Sequence, residues 1–158
     1  MRQGVRLGID VGKARIGVAR SDRDGLLATP LETVARDWAD DGSAGEAHIR
    51  RIVELVDELE AIELIVGHPL NMQGQSTPST EDALSVAGAL AEAVSIPVRL
   101  LDERLTTAAA AKQFRATGRK ASRSRDVIDQ AAAVILLQDA LDRERASGTA
   151  PGTVYSTD

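Results

Sequence analysis

The feature that most constrains the fold is a run of three short apolar segments near the amino terminus. These segments, at residues 5–11, 16–19 and 26–34, are separated only by the turn-prone stretches 12–15 and 22–25. Short strands joined by tight turns pair with their neighbours in the chain, so this spacing predicts an antiparallel three-stranded meander.

The second half of the chain alternates between helical and strand patterns. It first predicts a helix with apolar residues at helical spacing, namely Ile49, Ile52, Val53, Val56 and Leu59, followed by a strand at 64–66. A helix opened by a Ser79–Asp82 capping box and a strand at 97–101 come next. The chain then predicts a helix at about 106–117 and a last helix, capped by Ser124, that runs to about Arg145. Alternation of this kind adds parallel crossovers to the meander. We therefore predict an α/β fold with a mixed five-stranded sheet in the order 3-2-1-4-5, flanked by helices on both faces.

Length and composition limit the classes of protein that this chain could belong to. The 158 residues suit one domain, which we place at 1–145, and the Gly- and Pro-containing segment 146–158 is expected to be a disordered tail. The absence of cysteine excludes disulfides and thiolate metal sites. No apolar run approaches the length of a membrane span, and the first residues do not resemble a signal peptide. We expect a soluble, cytoplasmic protein that does not bind membranes.

The charge of the chain is unevenly distributed. The net charge is −5, yet residues 104–125 contain seven basic residues and no acidic one. This basic segment comprises Arg104, Lys112, Arg115, Arg119, Lys120, Arg123 and Arg125. Taken alone, this segment is best explained as a solvated helix face, but it could also guide a nucleic-acid backbone. With only Trp38, Phe114 and Tyr155 as aromatic residues, binding of single strands by base stacking is disfavoured.

An acidic residue interrupts the first predicted strand. Asp10 lies within the apolar stretch Leu7-Gly8-Ile9-Asp10-Val11-Gly12. An ionised carboxylate buried there costs several kcal/mol unless it is paired or binds a metal. Gly8 and Gly12 would let a metal or phosphate approach the backbone closely. The alternative is that Asp10 only braces the following turn.

Two later segments supply further carboxylates. Glu103 follows the predicted strand 97–101 at its carboxyl end, where ligands bind in α/β sheets. Asp126 and Asp129 lie near the start of the last helix, where the helix dipole alone could favour them. Small residues after Asp129 would let that helix sit close to the sheet. Each acid has an ordinary structural explanation, but a joint site of Asp10, Glu103 and Asp129 would suit one or two Mg²⁺ or Mn²⁺ ions, which can promote phosphodiester cleavage.

Four ordered motifs resemble those of the YqgF/RuvX family, whose members are described as pre-16S rRNA nucleases or Holliday-junction-resolvase-like proteins. The motifs are LGIDVGKARIGVARSD, IVGHPLNMQG, LLDERLTT and VIDQAAAVILLQ, and the resemblance covers about residues 6–141. It implies an RNase H-like fold, an acidic triad of Asp10, Glu103 and Asp129, and Arg104 and Thr106 beside that triad. His68 stands where the family usually has leucine, and a role for it in phosphate or metal contact stays open. Related resolvases carry an acid at the end of the fourth strand, where this chain has Gly67.

The sequence leaves several functions open. The substrate could be precursor rRNA or a four-way DNA junction, because phosphate contacts carry no sequence information. A resolvase would act as a two-fold homodimer, whereas an RNA-processing enzyme could be a monomer. The glycine-flanked Asp10 motif also resembles the phosphate-binding hairpin of actin-like ATPases, but those need two such lobes. A non-catalytic RNA-binding assembly factor is the remaining alternative.

Overall fold

The first three strands and the alternating second half form one mixed sheet with helices on both faces. The computed structural model describes residues 1–105 and 122–156, and the side chains of its last helix from residue 129 onward. The elements are β1 (Arg6–Val11), β2 (Arg15–Ser21), β3 (Ala28–Ala35), α1 (Ala47–Leu59), β4 (Glu63–His68), α2 (Pro78–Ala93), β5 (Val98–Asp102), a 3₁₀ turn (Glu103–Leu105), α3 (Ser122–Ser147) and β6 (Thr153–Val154). The helix predicted at 106–117 lies outside the described residues.

The sheet has the order β3-β2-β1-β4-β5-β6. The first three strands pair antiparallel, and β4 and β5 add parallel to β1, so the predicted fold class and the order of the first five strands are confirmed. The prediction of five strands was wrong, because β6 pairs antiparallel with β5. This two-residue strand is too short to give a periodic sequence signal.

The segment predicted as a disordered tail therefore differs from the structure at residues 153–156. The backbone N–H of Tyr155 donates to the carbonyl of Val98 at 2.7 Å. A Cβ on Gly88 of α2 would come within 2.8 Å of the Tyr155 hydroxyl. The missing side chain of Gly88 thus leaves room for the tyrosine, which packs against the core.

The two faces of the sheet are covered by different helices. On the first face, Leu7, Ile9 and Val11 of β1 pack in one apolar cluster with α1 and α2. On the second face, Ala133, Leu136 and Leu137 of α3 pack over the sheet. Because strand residues alternate between faces, Gly8 and Asp10 lie on the second face, beneath α3. None of the helices in the described residues has a stretch long and apolar enough to span a bilayer.

The start of α2 is capped differently from the prediction. Thr77, rather than Ser79, is the N-cap, and its hydroxyl accepts from the backbone N–H of Thr80, whose own hydroxyl accepts from the N–H of Thr77. The fixed φ of Pro78 suits the first helical position, so the helix begins earlier in the chain than the predicted capping box implies. Asp82 does not take part in capping and instead forms an ion pair with Arg36.

A buried network of ion pairs joins β1, β4 and α3 at the end of the sheet away from Asp10. Arg6 and Glu63 are fully buried, and Glu144 of α3 is nearly so. Arg6 donates to Glu144 at 3.0 Å, and Arg2 bridges Glu63 and Glu144. Burial alone would raise the pKa of Glu144, but the hydrogen bond from Arg2 and the charges of Arg2 and Arg6 outweigh it and lower that pKa to about 2.

Candidate active site

Asp10 occupies the centre of the candidate site, near the carboxyl end of β1. Its carboxylate is buried, with 1% of the residue exposed. Asp10 lies opposite Gly17 in the antiparallel β1–β2 pair. Cross-strand partners have their Cβ atoms on the same face, so the missing side chain of Gly17 leaves a gap directly beside Asp10.

Asp129 of α3 fills the gap over Gly17. A Cβ on Gly17 would lie only 2.0 Å from the backbone carbonyl oxygen of Asp129. The helix therefore reaches the sheet backbone here, which no larger residue on β2 would allow. Ala132 and Ala133, fully buried in the next turn, keep the same close approach. Arg15, at the start of β2, donates from Nε to Oδ2 of Asp129 at 3.0 Å.

Glu103 approaches Asp10 from the other side of β1. Extending the β1–β4 register one residue past the Ile9–Val66 pair places Gly67 beside Asp10. A Cβ on Gly67 would lie 2.9 Å from Oε1 of Glu103. The Glu103 side chain thus lies in the space above Gly67, and only 3% of the residue is exposed.

The structure places the predicted acids Asp10, Glu103 and Asp129 on one face of the sheet, over a floor of glycines that we define as Gly8, Gly17 and Gly67. Asp129 therefore lies over β2 and Glu103 over β4, the two strands that flank Asp10 of β1. As placed, the acidic and histidine side chains of the described residues form no cluster of three that would hold an ion. The ion pair with Arg15 offsets the negative charge of Asp129.

The donor set nevertheless fits a hard divalent cation. Three acidic residues, each at most 3% exposed, lie on the same face of the sheet over the glycine floor. Mg²⁺ and Mn²⁺ prefer carboxylate oxygens. Bringing the three groups onto an ion requires a side-chain adjustment, most easily by Glu103, because it is the longest and packs over glycine.

Arg104 lies next to the acids but is directed toward Asp102. Its guanidinium donates to the Asp102 carboxylate at 2.7 Å, and 40% of the side chain is exposed. The hydrogen bond from Arg104 is the main cause that holds the pKa of Asp102 below its usual range. His68, the last residue of β4, pairs in register with Asp102 at the same edge.

The remaining predicted residues cannot be placed relative to the acids. Thr106, Arg119 and Lys120 lie outside the described residues, as do the side chains of Arg123, Arg125 and Asp126. Their roles stay predictions.

Known proteins share this chain's sequence over almost its whole length. The family model described as "RuvX: Holliday junction resolvase" matches residues 4–143. The chain belongs to the RuvX family. A relative from Clavibacter michiganensis is 54% identical over 98% of this chain and 92% of its own length, and one from Leifsonia xyli is 55% identical over 96% and 94%. Both carry the name "Putative pre-16S rRNA nuclease".

Solved structures agree with the fold of this RuvX-family chain. RuvC of Thermus thermophilus, solved in complex with a Holliday junction substrate, superposes with a TM-score of 0.58 at 17% identity, covering 96% of this chain and 99% of RuvC. A second structure of the same RuvC gives a TM-score of 0.54 at 18% identity, over the same shares of both chains. At this identity the likeness establishes the RNase H-like fold alone.

The sequence singled out the acids as candidates but not the residues that make room for them. Gly17 stands inside an apolar strand, a position where glycine often marks close approach of another backbone, so the sequence does contain a signal for this contact. Gly67 follows the apolar residues 64–66, and its place beside Asp10 depends on the pairing of β1 with β4. No signal in the sequence joins Arg15 to Asp129, which is 114 residues away.

Proposed function

We propose that this RuvX-family chain is a metal-dependent nuclease that hydrolyses phosphodiester bonds, with the 5′ end of precursor 16S rRNA as its substrate. The observation that carries the proposal is the burial of Asp10, Glu103 and Asp129 around one glycine floor. Such a charge arrangement is costly in a folded protein unless cations complete it. The names of the relatives support precursor rRNA as the substrate.

Asp10, Glu103 and Asp129 would hold one or two Mg²⁺ or Mn²⁺ ions. When bound, such ions supply Lewis acidity and an activated water for displacement at phosphorus. The protein supplies the positions of the carboxylates. Asp10 is fixed by the sheet ladder, Asp129 by the close contact of α3 with Gly17 and by Arg15, and Glu103 by the space over Gly67.

Cleavage of four-way DNA junctions is the second candidate. The description of the family model favours it. The two candidates differ in assembly, because symmetric cuts in a junction need paired sites in a two-fold dimer.

A side-by-side cleavage assay tests the proposal. Precursor rRNA carrying the unprocessed 5′ end, an unrelated single-stranded RNA and a four-way DNA junction are each incubated with Mg²⁺, with Mn²⁺ and with EDTA. We expect divalent-dependent cleavage of the precursor, lost in Asp10→Asn and kept in Asp57→Asn, which alters an exposed aspartate of α1, on the opposite face of the sheet from Asp10. Faster cleavage of the junction by a dimer would favour the second candidate, and cleavage in EDTA would refute the metal-dependent mechanism.

A further inference from the structure

The turn between β1 and β2, residues 12–14, is held by hydrogen bonds to its three backbone carbonyls, all from one short segment of the chain. The Gly12 carbonyl accepts from the Arg36 guanidinium at 2.9 Å, the Lys13 carbonyl from the Trp38 indole N–H at 2.9 Å, and the Ala14 carbonyl from the backbone N–H of Arg36 at 3.0 Å. Every carbonyl of the turn is therefore bound by residues 36–38, which we call the strap.

The strap is itself firmly anchored. Arg36 makes a two-pronged ion pair with Asp82 of α2, with distances of 2.8 and 2.9 Å. Its side chain is 1% exposed, and the Trp38 ring lies 4.3 Å from its guanidinium carbon. The backbone N–H of Asp37 donates to Nδ1 of the buried His48. The turn is therefore fixed from the face of the sheet that α2 covers.

This attachment determines which way the amide groups of the turn point. In a trans peptide the C=O and the following N–H point in opposite directions, and the described residues contain no cis peptide. The Gly12 carbonyl accepts from Arg36, which is paired with Asp82 of α2, so the N–H of Lys13 points away from Arg36. The Lys13 carbonyl is bound by Trp38, so the N–H of Ala14 likewise points away from the strap.

The charges around the turn single out Lys13. Among the described basic residues, Arg15 contacts Asp129, Arg104 follows Glu103 directly in the chain, and Lys13 follows Asp10 by three positions. Arg15 is paired with Asp129, and Arg104 with Asp102. Lys13 is exposed and, within residues 1–105 and the described part of α3, its ammonium forms no ion pair. A polyanion that approaches three carboxylates needs such a compensating charge.

We propose that the turn at residues 12–14 binds a backbone phosphate of the nucleic acid, through the Lys13 ammonium and the amide N–H groups of Lys13 and Ala14. Arg36 and Trp38 are positioning residues that fix this turn next to Asp10. The proposal deepens the nuclease function and rests on it for the identity of the ligand. Successive backbone N–H groups form anion-binding concavities of this kind in other proteins.

A double-mutant cycle in the full-length protein tests the proposal. Binding of a short fluorescein-labelled RNA is measured by anisotropy in EDTA over a range of salt concentrations, for wild type, Lys13→Ala, Trp38→Phe and the double variant. Lys13→Ala should weaken binding about tenfold at low salt, as for one lost charge-assisted contact, and reduce the salt slope by about 0.7. Trp38→Phe keeps an aromatic ring beside Arg36 but removes the bond to the Lys13 carbonyl. It should also weaken binding, and the combined loss should be smaller than the product of the single losses.

Control variants separate this role from general effects. Arg50→Ala removes one exposed positive charge from α1, on the opposite face, and should leave binding nearly unchanged. If Trp38→Phe lowers only the melting temperature and not RNA affinity, or if the two losses multiply fully, the positioning role is refuted. Wild-type protein that cleaves RNA while Lys13→Ala binds normally would overturn the phosphate site and leave the nuclease function standing. Wild-type protein that binds RNA through Lys13 without cleaving it would support the phosphate site and overturn the nuclease function.

Discussion

Asp10 and Gly17 face each other across the β1–β2 hairpin, and the side chain that Gly17 lacks leaves the space taken by the backbone of Asp129. The same glycine thus allows α3 to touch the sheet and places a second carboxylate beside the first. Packing of the helix and assembly of the site depend on one contact.

Gly17→Ala should therefore damage folding. The new Cβ would lie 2.0 Å from a backbone oxygen, which cannot rotate away. We expect a loss of about 3 kcal/mol or more in the free energy of unfolding, at the upper end of overpacking effects, measured by urea denaturation. Gly8→Ala is the graded comparison, since its Cβ would meet Leu137 Cβ at 2.8 Å and the Ala133 carbonyl at 3.0 Å, and should cost less. An unchanged midpoint for Gly17→Ala would show that α3 is not held against β2.

Gly67→Ala should separate stability from metal binding. Its Cβ would meet the flexible end of Glu103, 2.9 Å from Oε1, so the side chain can move aside while the fold persists. We expect a change in unfolding free energy below about 1 kcal/mol and Mg²⁺ affinity about tenfold weaker. Calorimetric titration with Mg²⁺ measures the affinity. Equal affinity in wild type and variant would place Glu103 outside the metal site.

The sequence predicted the elements of this site better than their contacts. The order of strands β1 to β5 followed from tight turns and from alternation, both of which are local signals. Asp10 could be recognised because a charge inside an apolar strand needs an explanation. The contact of Gly17 with Asp129 and the attachment of the 12–14 turn to Arg36 could not be predicted, because each joins segments far apart in sequence. The β6 strand was missed because two residues show no periodicity.

Glu144→Gln should lower the free energy of unfolding at neutral pH far more than at acidic pH. The pKa of Glu144 falls from 4.5 to about 2 on folding, so its ionised form stabilises the fold above about pH 4.5, and this contribution is lost as the pH falls toward 2. Removing the charge also leaves Arg6 buried with a weaker partner. At pH 7 we expect a loss of about 3 kcal/mol.

Denaturant unfolding at a series of pH values checks this expectation. The difference between wild type and Glu144→Gln should narrow between pH 4.5 and about 2. Glu54→Gln, which alters an exposed ion pair on α1, serves as the control and should show little difference at any pH. A gap that stays constant down to pH 2 would mean that the Glu144 charge does not stabilise the fold.

Neutralising four residues of the basic segment should weaken binding to nucleic acid of any sequence. Replacing Arg119, Lys120, Arg123 and Arg125 by glutamine removes four positive charges from a chain of net charge −5. Each lost phosphate contact should lower the log–log slope of affinity against salt by about 0.7 to 0.9, measured by RNA anisotropy. Arg50→Gln combined with Arg51→Gln on α1 removes two positive charges elsewhere on the protein and shows how much of the change per charge comes from net charge alone. An unchanged slope in the fourfold variant would show that these residues are only a solvated surface.

The space above Gly67 holds one carboxylate, supplied by Glu103 from the turn that follows the neighbouring strand β5. An acid at position 67 would occupy the same volume, so the two positions cannot both carry long side chains without displacing each other. An acidic group can therefore be transferred between neighbouring strands only by a paired exchange, with the gain at one position matched by a loss at the other. In related proteins with the same glycine floor, the acid could therefore stand at a different sequence position while its carboxylate occupies the same place in the site.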